Sequence, residues 1–557
     1  MKLKTFFKLN LFGFIVFLTA GYFFMKRLIV DYREVLAQDY FKYQYITTAT
    51  KILKNSSIEL FIFLFVFVIY LFLFDLIKKR RLAKIEEKED FFKGNVLLLN
   101  WVSKIKYIVL IVMLGSLFSC IFVFSKKPPS AYQSYIKESP NIILIVIDTL
   151  RADHVSYYGY ERSTTPNIDN LAETSILFEN CFAVAPWTTP SVGSIFTSQY
   201  PSVLGIEWDP VKINKKFLTL AEILHENSYV TTGIISHLYI SSRLNFNQGF
   251  SLYDEDNARG HDYISSPSIT EKAIDFLRQN KSRKFFLFLH YFDPHYDYIL
   301  HEKYNYYPDY KGKLYSGQQI KDLLELAPTM NPEDIKYIIS LYDSEISFTD
   351  EYIGRLLDEI KRLDLFDNSL IILTSDHGEE FLERGDNHIG HTKTLYRELI
   401  HVPLIIKLPY ESTPRRIKQN VSLIDLMPTI LDIVGLEIPK NYKHSGKIIK
   451  FNANSDIDYQ RETVFFETKR MAKLDGVAKD KWKCIVDFRK GKVSLFDLEN
   501  DPLERENLSK KYPQIVRELA REIEKWQSLI HTKKEKGQKV NFTERQKQIL
   551  RSLGYIK

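Results

Sequence analysis

NIILIVIDTLRADH, residues 141–154, is a near-continuous apolar run that ends in an acid, Asp148, and then turns polar. A run of this kind, with no alternation, suits a strand buried on both faces of a parallel sheet. SLIILTSDHGEE, residues 369–380, repeats the pattern and ends in Asp376 and His377. YVTTGIIS (229–236) and KFFLFLHYF (284–292) are two further strands of the same texture. Between them lie amphipathic stretches. SITEKAIDFLRQN (268–280) is expected to be a helix with Ser268 as N-cap and Glu271 completing a capping box. PEDIKYIISLYDSEISFTDEYIGRLLDEIKRL (332–363) has apolar residues at three- and four-residue spacing and is a second, long helix. Alternating strands and helices predict an α/β sandwich around a mainly parallel sheet.

Outward from this core the texture changes twice. After about residue 439, ETVFFETK, KWKCIVDFRKG and KVSLFDLEND look like short antiparallel strands, and YPQIVRELAREIEKWQSLI (512–530) like a helix. This is a small C-terminal α+β subdomain, spanning 440–530 after a main domain at 139–439. Residues 531–557 are expected to be a charged, solvated linker, HTKKEKGQK, and a terminal helix. On the N-terminal side, residues 1–130 carry three apolar runs, near 9–24, 58–77 and 107–124, each close to the roughly 20 residues that cross a bilayer. Lys78, Lys79, Arg80, Arg81, Lys84 and Lys88 follow the second run, which places that loop in the cytoplasm and the chain after the third span outside. The expectation is a multi-pass anchor in the cell membrane with an extracytoplasmic catalytic domain.

The net charge is only +7 among 76 basic and 69 acidic residues, too small an excess to argue for nucleic acid. The three cysteines, Cys120, Cys181 and Cys484, have no C-x-x-C spacing, and unpaired thiols are expected for the latter two.

Ligands of open parallel sheets bind beyond the carboxyl ends of the strands. Asp148 and Asp376 therefore share one edge with His377. Two carboxylates there repel unless a cation lies between them, and an Asp, Asp, His set is a first shell for a divalent metal. APWTTPSVGSIFTSQYPS (185–202) adds a helix start at Thr188 or Thr189 with Pro190 in its first turn. Unpaired N–H groups and partial positive charge favour a tetrahedral oxyanion at such a terminus. Taken alone, Thr188 is equally an ordinary N-cap.

The chain resembles the sulfatase family of the alkaline phosphatase superfamily. NIILIVIDTLRADHVSYYGY is similar to its first metal strand, APWTTPSVGSIFTSQYPSVLGI to its nucleophile motif (C-x-P-S-R or S-x-P-S-R), FLFLHYFDPHYDY to its central strand, and SDHGEEF with NHIGHTKTLYRELIHVPLIIKLP to its second metal motif. The resemblance extends from about residue 140 to the C-terminus, with the motifs in the family's order. It implies the alkaline-phosphatase/sulfatase-like sandwich and metal roles for Asp148, Asp376 and His377. It also implies a nucleophile position at Thr188, leaving-group or substrate contacts at His295 and His391, and an anion contact at Lys393. His290 is read as buried structure; His154, His237, His261, His388 and His401 have no assigned role.

Three departures limit the carry-over. Thr188 cannot become formylglycine, which forms from Cys or Ser, so none is expected. Val192 replaces the motif's Arg, and Thr149 replaces the second Asp of the family's pair. The remaining set is similar to that of membrane-bound phosphotransferases of the lipoteichoic acid synthase and phosphoethanolamine transferase types, which use a Thr nucleophile. One divalent ion is implied, manganese or zinc favoured by the imidazole, with calcium or magnesium as alternatives. The expected substrate is a phosphate or sulfate ester of lipid, glycan or envelope polymer at the membrane, with phosphoryl transfer or phosphodiester cleavage ahead of sulfate ester hydrolysis. A catalytically inactive binding or scaffold protein is the third reading. The Tyr-rich stretch HEKYNYYPDYKGKLYSGQQ (301–319) suits either sugar contact or a plain exposed loop.

Overall fold

The computed structural model describes residues 139–552 except 208–210, 261–263, 386–387, 452–456, 460, 533, 536 and 541. The three apolar runs lie outside the described residues; among the described helices none is long and apolar enough to cross a membrane.

Eight strands form the central sheet: β1 (Asn141–Ile147), β2 (Ile176–Phe182), β3 (Val230–Ile234), β4 (Leu252–Asp254), β5 (Phe285–Tyr291), β6 (Ser369–Ser375), β7 (His401–Lys407) and β8 (Arg415–Ser422). Their order is β8-β2-β7-β6-β1-β5-β3-β4. Only β7 runs against its neighbours; it pairs antiparallel with both β2 and β6, and the other ladders are parallel. The apolar run at 141–147 is central because it must bury both faces. Ile142, Leu144 and Val146 enter one core, and Ile143, Ile145 and Ile147 the other, as the two-residue period of a strand requires.

One face is covered by α1 (Pro166–Ala172), α3 (Ser266–Asn280) and α4 (Pro332–Arg362). Asn331 caps α4 by accepting from the N–H groups of Glu333 and Asp334 while Asp334 returns the bond, a capping box of about 1 kcal/mol. The expected box on Ser268 and Glu271 does not form. The helix begins two residues earlier, at Ser266, and the Asp293 carboxylate caps it from beyond β5 by accepting from both N–H groups of Ser265 and Ser266. A charged acceptor from a neighbouring element replaces a local one.

The opposite face is covered by α2 (Thr188–Thr197), α5 (Leu426–Ile433) and the C-terminal subdomain. That subdomain is a four-stranded antiparallel meander, β9 (Thr463–Thr468), β10 (Leu474–Lys479), β11 (Trp482–Asp487) and β12 (Lys492–Asp497), with α6 (Pro513–His531) packed on it. The β10 strand, with Gly476 at its middle, carries too weak an apolar pattern to be read from sequence. Cys181 and Cys484 are both buried free thiols, as expected.

The stretch 531–539 is not simply solvated. Gln538–Lys539 pairs with Val211–Lys212, Glu535 N donates to Val203 O, and Lys534 binds Glu207 at 2.8 Å. Alternating charge reads as linker, but its backbone still has a strand to pair with. The Tyr-rich stretch is tied to α4: Tyr304 and Tyr310 donate to Glu351 and Asp334, and the hydroxyls of Tyr306 and Ser347 share a hydrogen bond at 2.8 Å.

Candidate active site

Register brings the two acids together. Ile147 is paired with Ser375, so Asp148 and Asp376 leave adjacent strands side by side, and Asp148 N donates to Tyr291 O of β5 at 2.8 Å. Both carboxylates are fully buried. His377 Nε2 lies 3.4 Å from Asp148 Oδ1 and 3.6 Å from Asp376 Oδ2. His377 Nδ1 faces Gly378 O at 2.9 Å, which assigns its proton to that nitrogen and turns the Nε2 lone pair toward the acids.

Thr188 begins α2 and is also fully buried, with Oγ1 3.4 Å from His377 Nε2. Its first-turn N–H group has no intrahelical acceptor. Ser191 fixes the helix to the end of β6 by donating to Asp376 O at 2.6 Å, and Thr189 donates to Tyr239 O at 3.0 Å. Trp187 precedes the helix without a capping side chain. Thr188 is thus held among polar groups and is not used as a cap.

The electrostatics call for a cation. Asp148 Oδ1, Asp148 Oδ2 and Asp376 Oδ2 are buried and have no hydrogen-bond partner. Burial, then Asp376 and Glu379, pushes the Asp148 carboxyl well above its ordinary value; burial also raises Asp376 against the opposing pull of His377. Buried acids in this state either hold protons or a metal. Asp148, Asp376 and His377 offer ligand atoms within 4.8 Å of one another, and two hard oxygens with one imidazole fit a divalent ion.

A second group, Asp148, His237 and His295, meets the same spacing. Its chemistry is different. His237 Nδ1 accepts from Tyr239 N at 2.9 Å, so the neutral ring carries its proton on Nε2 and is a donor there. His237, for which the sequence suggested no role, therefore belongs to the site. No motif marks it in the sequence, and only the sheet topology, which places the end of β3 two strands from β1, could have identified it.

The remaining expected residues converge on the same place. His295 lies beyond β5, buried, its Nδ1 2.8 Å from Tyr296 O, and its ring centroid is 4.9 Å from that of His391. His391 Nδ1 faces Glu379 Oε1 at 3.2 Å. Burial, with the charges of His377 and Arg470, holds the His391 imidazole well below its usual value, while burial raises Glu379. Lys393 is half-buried on the same loop, next to Thr392, whose φ of 82° is strained for a β-branched residue. Thr149 shows the same strain at φ 57°, directly after Asp148. Such strain clusters at functional sites. His290 is buried as expected, with Nε2 3.8 Å from Asp148 Oδ2, and burial pulls it down to about 3.

Among known families, the sulfatase family matches residues 140–436, more than half of the chain. This chain belongs to the sulfatase family. The C-terminal region of N-sulphoglucosamine sulphohydrolases matches residues 386–529. The N-acetylglucosamine-6-O-sulfatase of Bacteroides thetaiotaomicron is 24% identical over 486 residues, covering 70% of this chain and 86% of that one. An ulvan-active sulfatase of Formosa agariphila is 25% identical over 399 residues, covering 65% and 74%. The solved structure of BT4656 with its substrate D-glucosamine-2-N,6-O-disulfate has the same fold, with a TM-score of 0.57 at 21% identity over 71% of this chain and 99% of that one. The phosphonate monoester hydrolase of Agrobacterium radiobacter reaches 0.56 at 19% identity, covering 72% and 100%.

As a sulfatase-family enzyme the chain is an ester hydrolase by lineage, and its departures from the family motif are now placed. Val192 is fully buried in the core beneath α2, so an apolar contact has replaced the motif's cation. Thr149 is buried with an unpartnered hydroxyl.

Proposed function

We propose that this sulfatase-family chain is a metal-dependent enzyme in which Thr188 is the nucleophile and a phosphoryl ester is the preferred substrate. The observation that carries the reading is the buried Thr188 hydroxyl, 3.4 Å from His377 Nε2 and beside carboxylate oxygens with no partner of their own. Asp148, Asp376 and His377 would hold the ion, manganese or zinc before calcium or magnesium. When bound it lowers the pKa of a nearby hydroxyl and draws charge from the ester oxygens.

The chain's own groups do the rest. Thr188 gives its hydroxyl proton to the His391–Glu379 pair as Oγ1 forms a bond to phosphorus and the ester P–O bond breaks. The N-terminus of α2 faces the oxyanion with its unpaired N–H and its dipole. The leaving oxygen takes that proton back from the pair, with His237, which carries a proton on Nε2, as the other imidazole donor at hand. Once the product alcohol has left, the same pair accepts a proton from the water or acceptor alcohol that attacks phosphorus and returns it to the Thr188 oxygen as the Thr188 O–P bond breaks. His295 and Lys393 line the approach. The apolar runs near 9–24, 58–77 and 107–124 support anchoring at the membrane, where lipid, glycan or envelope polymer esters are at hand.

Sulfate ester hydrolysis through the same threonine is the second reading, and the sulfatase names of the relatives favour it; the phosphonate monoester hydrolase neighbour favours phosphorus. The test uses the full chain in detergent with manganese and a panel of aryl phosphodiesters and aryl sulfates. Mass spectrometry is expected to find a phosphoryl adduct on Thr188 that Thr188→Ala abolishes. Ester cleavage unchanged by that substitution would sink the nucleophile assignment, and a sulfuryl adduct would select the second reading.

A further inference from the structure

Each carboxylate oxygen of Asp148 is faced by an imidazole nitrogen. His377 Nε2 lies 3.4 Å from Oδ1, and His290 Nε2 lies 3.8 Å from Oδ2. Both Asp148 oxygens and His290 Nε2 are buried without a hydrogen-bond partner. We infer that His290 is a fourth protein ligand of the divalent ion, binding through Nε2 on the Oδ2 side of Asp148.

Strand register puts the ring there. His290 of β5 is paired with Val146 of β1, two residues before Asp148. Val146 and Phe288 both enter the core beneath α2, so the two-residue period turns His290 to the same face. That is the face on which Thr188 stands.

The ring is held in the state a ligand needs. Ser236 Oγ donates to the His290 carbonyl oxygen at 2.5 Å and lies 3.3 Å from His290 Nδ1. With its hydrogen given to the carbonyl, the hydroxyl accepts from Nδ1–H, and Nε2 keeps its lone pair. His377 is held in the same way, with Nδ1 against Gly378 O. A ring N–H tied to an oxygen, with the other nitrogen left as a base, is the usual state of a metal-bound histidine. His237 has the opposite tautomer, its Nδ1 accepting from Tyr239 N. The arrangement at His290 and His377 is thus specific to the two rings that face Asp148 with a lone pair.

A lone pair and a carboxylate oxygen repel one another across 3.8 Å. Moving a proton onto Nε2 would not join them, because that distance is beyond an N–H···O hydrogen bond. A metal ion does join them, since bonds of about 2.0–2.2 Å to nitrogen and to oxygen span the gap. His290 also offsets a loss. Thr149 stands where the family has its second Asp, and a neutral imidazole takes the place of that carboxylate. Two carboxylates and two imidazoles leave a bound dication with no net charge, so an anionic ester oxygen is not repelled. The second imidazole moves the preference further toward zinc or manganese and away from calcium or magnesium.

The inference rests on the metal-dependent reading above, and ion binding is measured with no ester present, so that the two can fail separately. The full chain in detergent is loaded with zinc, and X-ray absorption at the zinc edge counts imidazole ligands by their multiple scattering. Two are expected in wild type and one in His290→Gln. Equilibrium dialysis is expected to show zinc weakened at least 10²-fold in His290→Gln, with magnesium changed less than threefold. Ser236→Ala keeps the ring but frees its Nδ1–H, and is expected to weaken zinc roughly 10–100-fold. A single imidazole in wild type overturns the inference, as a water between His290 and Asp148 would give, and leaves the three-ligand site intact. Two imidazoles that persist in His290→Gln overturn it as well, as does zinc affinity within threefold of wild type in that variant. A wild-type chain that takes up no zinc or manganese overturns both readings. Should His290→Gln fail to fold, the wild-type count and Ser236→Ala decide.

Discussion

Thr188 Oγ1 and His377 Nε2 face one another across 3.4 Å although 189 residues separate them in sequence. The pair joins the start of α2 to the end of β6, beside the buried carboxylates of Asp148 and Asp376. Asp376→Asn keeps the size of its side chain and removes one of the charges at that point. Changes even to groups behind metal ligands cost roughly 10–100-fold in affinity, so the expected loss of manganese or zinc affinity is about 10²-fold or more. Equilibrium dialysis with elemental analysis measures it, and an unchanged 1:1 uptake would remove Asp376 from the ligand set.

Glu379 Oε1 lies 3.2 Å from His391 Nδ1. It is a positioning residue. Glu379→Gln keeps a hydrogen-bonding group on His391 Nδ1 but cannot exchange a proton with it. The expected result is a kcat lower by roughly 10–100-fold with KM little changed. A change confined to KM would show that the pair only shapes the pocket.

Lys407 is buried at the end of β7, its ammonium donating to the carbonyl oxygens of Asp367 and Ser369 and stacked 4.6 Å from the Phe366 ring. Burial lowers it from 10.5 to about 8. Between those two values the unfolded chain binds more protons than the folded one, so stability rises with pH across that window. The gain attributable to this one group is on the order of 2–3 kcal/mol. Chemical denaturation of wild type against Lys407→Met at pH 8 and pH 10.5 checks the sign: the difference must move in favour of wild type as pH rises.

Lys483 and Glu504 form an ion pair at 2.6 Å with both side chains almost wholly buried. Glu504 also accepts from Arg397 N, and its carbonyl accepts from Arg384, so the pair ties the C-terminal meander to the segments of the main domain that carry these two arginines. Lys483→Met strands a buried carboxylate and is expected to cost about 3–5 kcal/mol. Replacing both, Lys483→Met with Glu504→Leu, is expected to recover much of the loss. Thermal unfolding of the two variants decides, and equal destabilisation would mean the pair acts through packing alone.

The strands at 141–147, 285–291 and 369–375 were legible because burial on two faces leaves an unbroken apolar run, and α4 because its apolar stripe persists over many turns. Asp148, Asp376 and His377 were legible for a related reason: a strand's end is where apolar texture stops. Thr188 could be located but not weighed, since a cap and a nucleophile have the same sequence signature. His237 was invisible: it meets Asp148 and His295 only because the sheet order brings the end of β3 near them, and no local pattern encodes such a meeting. The helix start at Ser266 was missed similarly, because its capping acid, Asp293, lies 28 residues from Ser265.

The C-terminal stretch that pairs with Val211–Lys212 has one more consequence. Gly205, at φ +76°, lies so close to Gly537 that a Cβ on it would fall 2.6 Å from the Gly537 nitrogen. The turn at Gly205 is therefore seated directly on the backbone of Glu535 and Gly537, and any larger residue there would push the two segments apart.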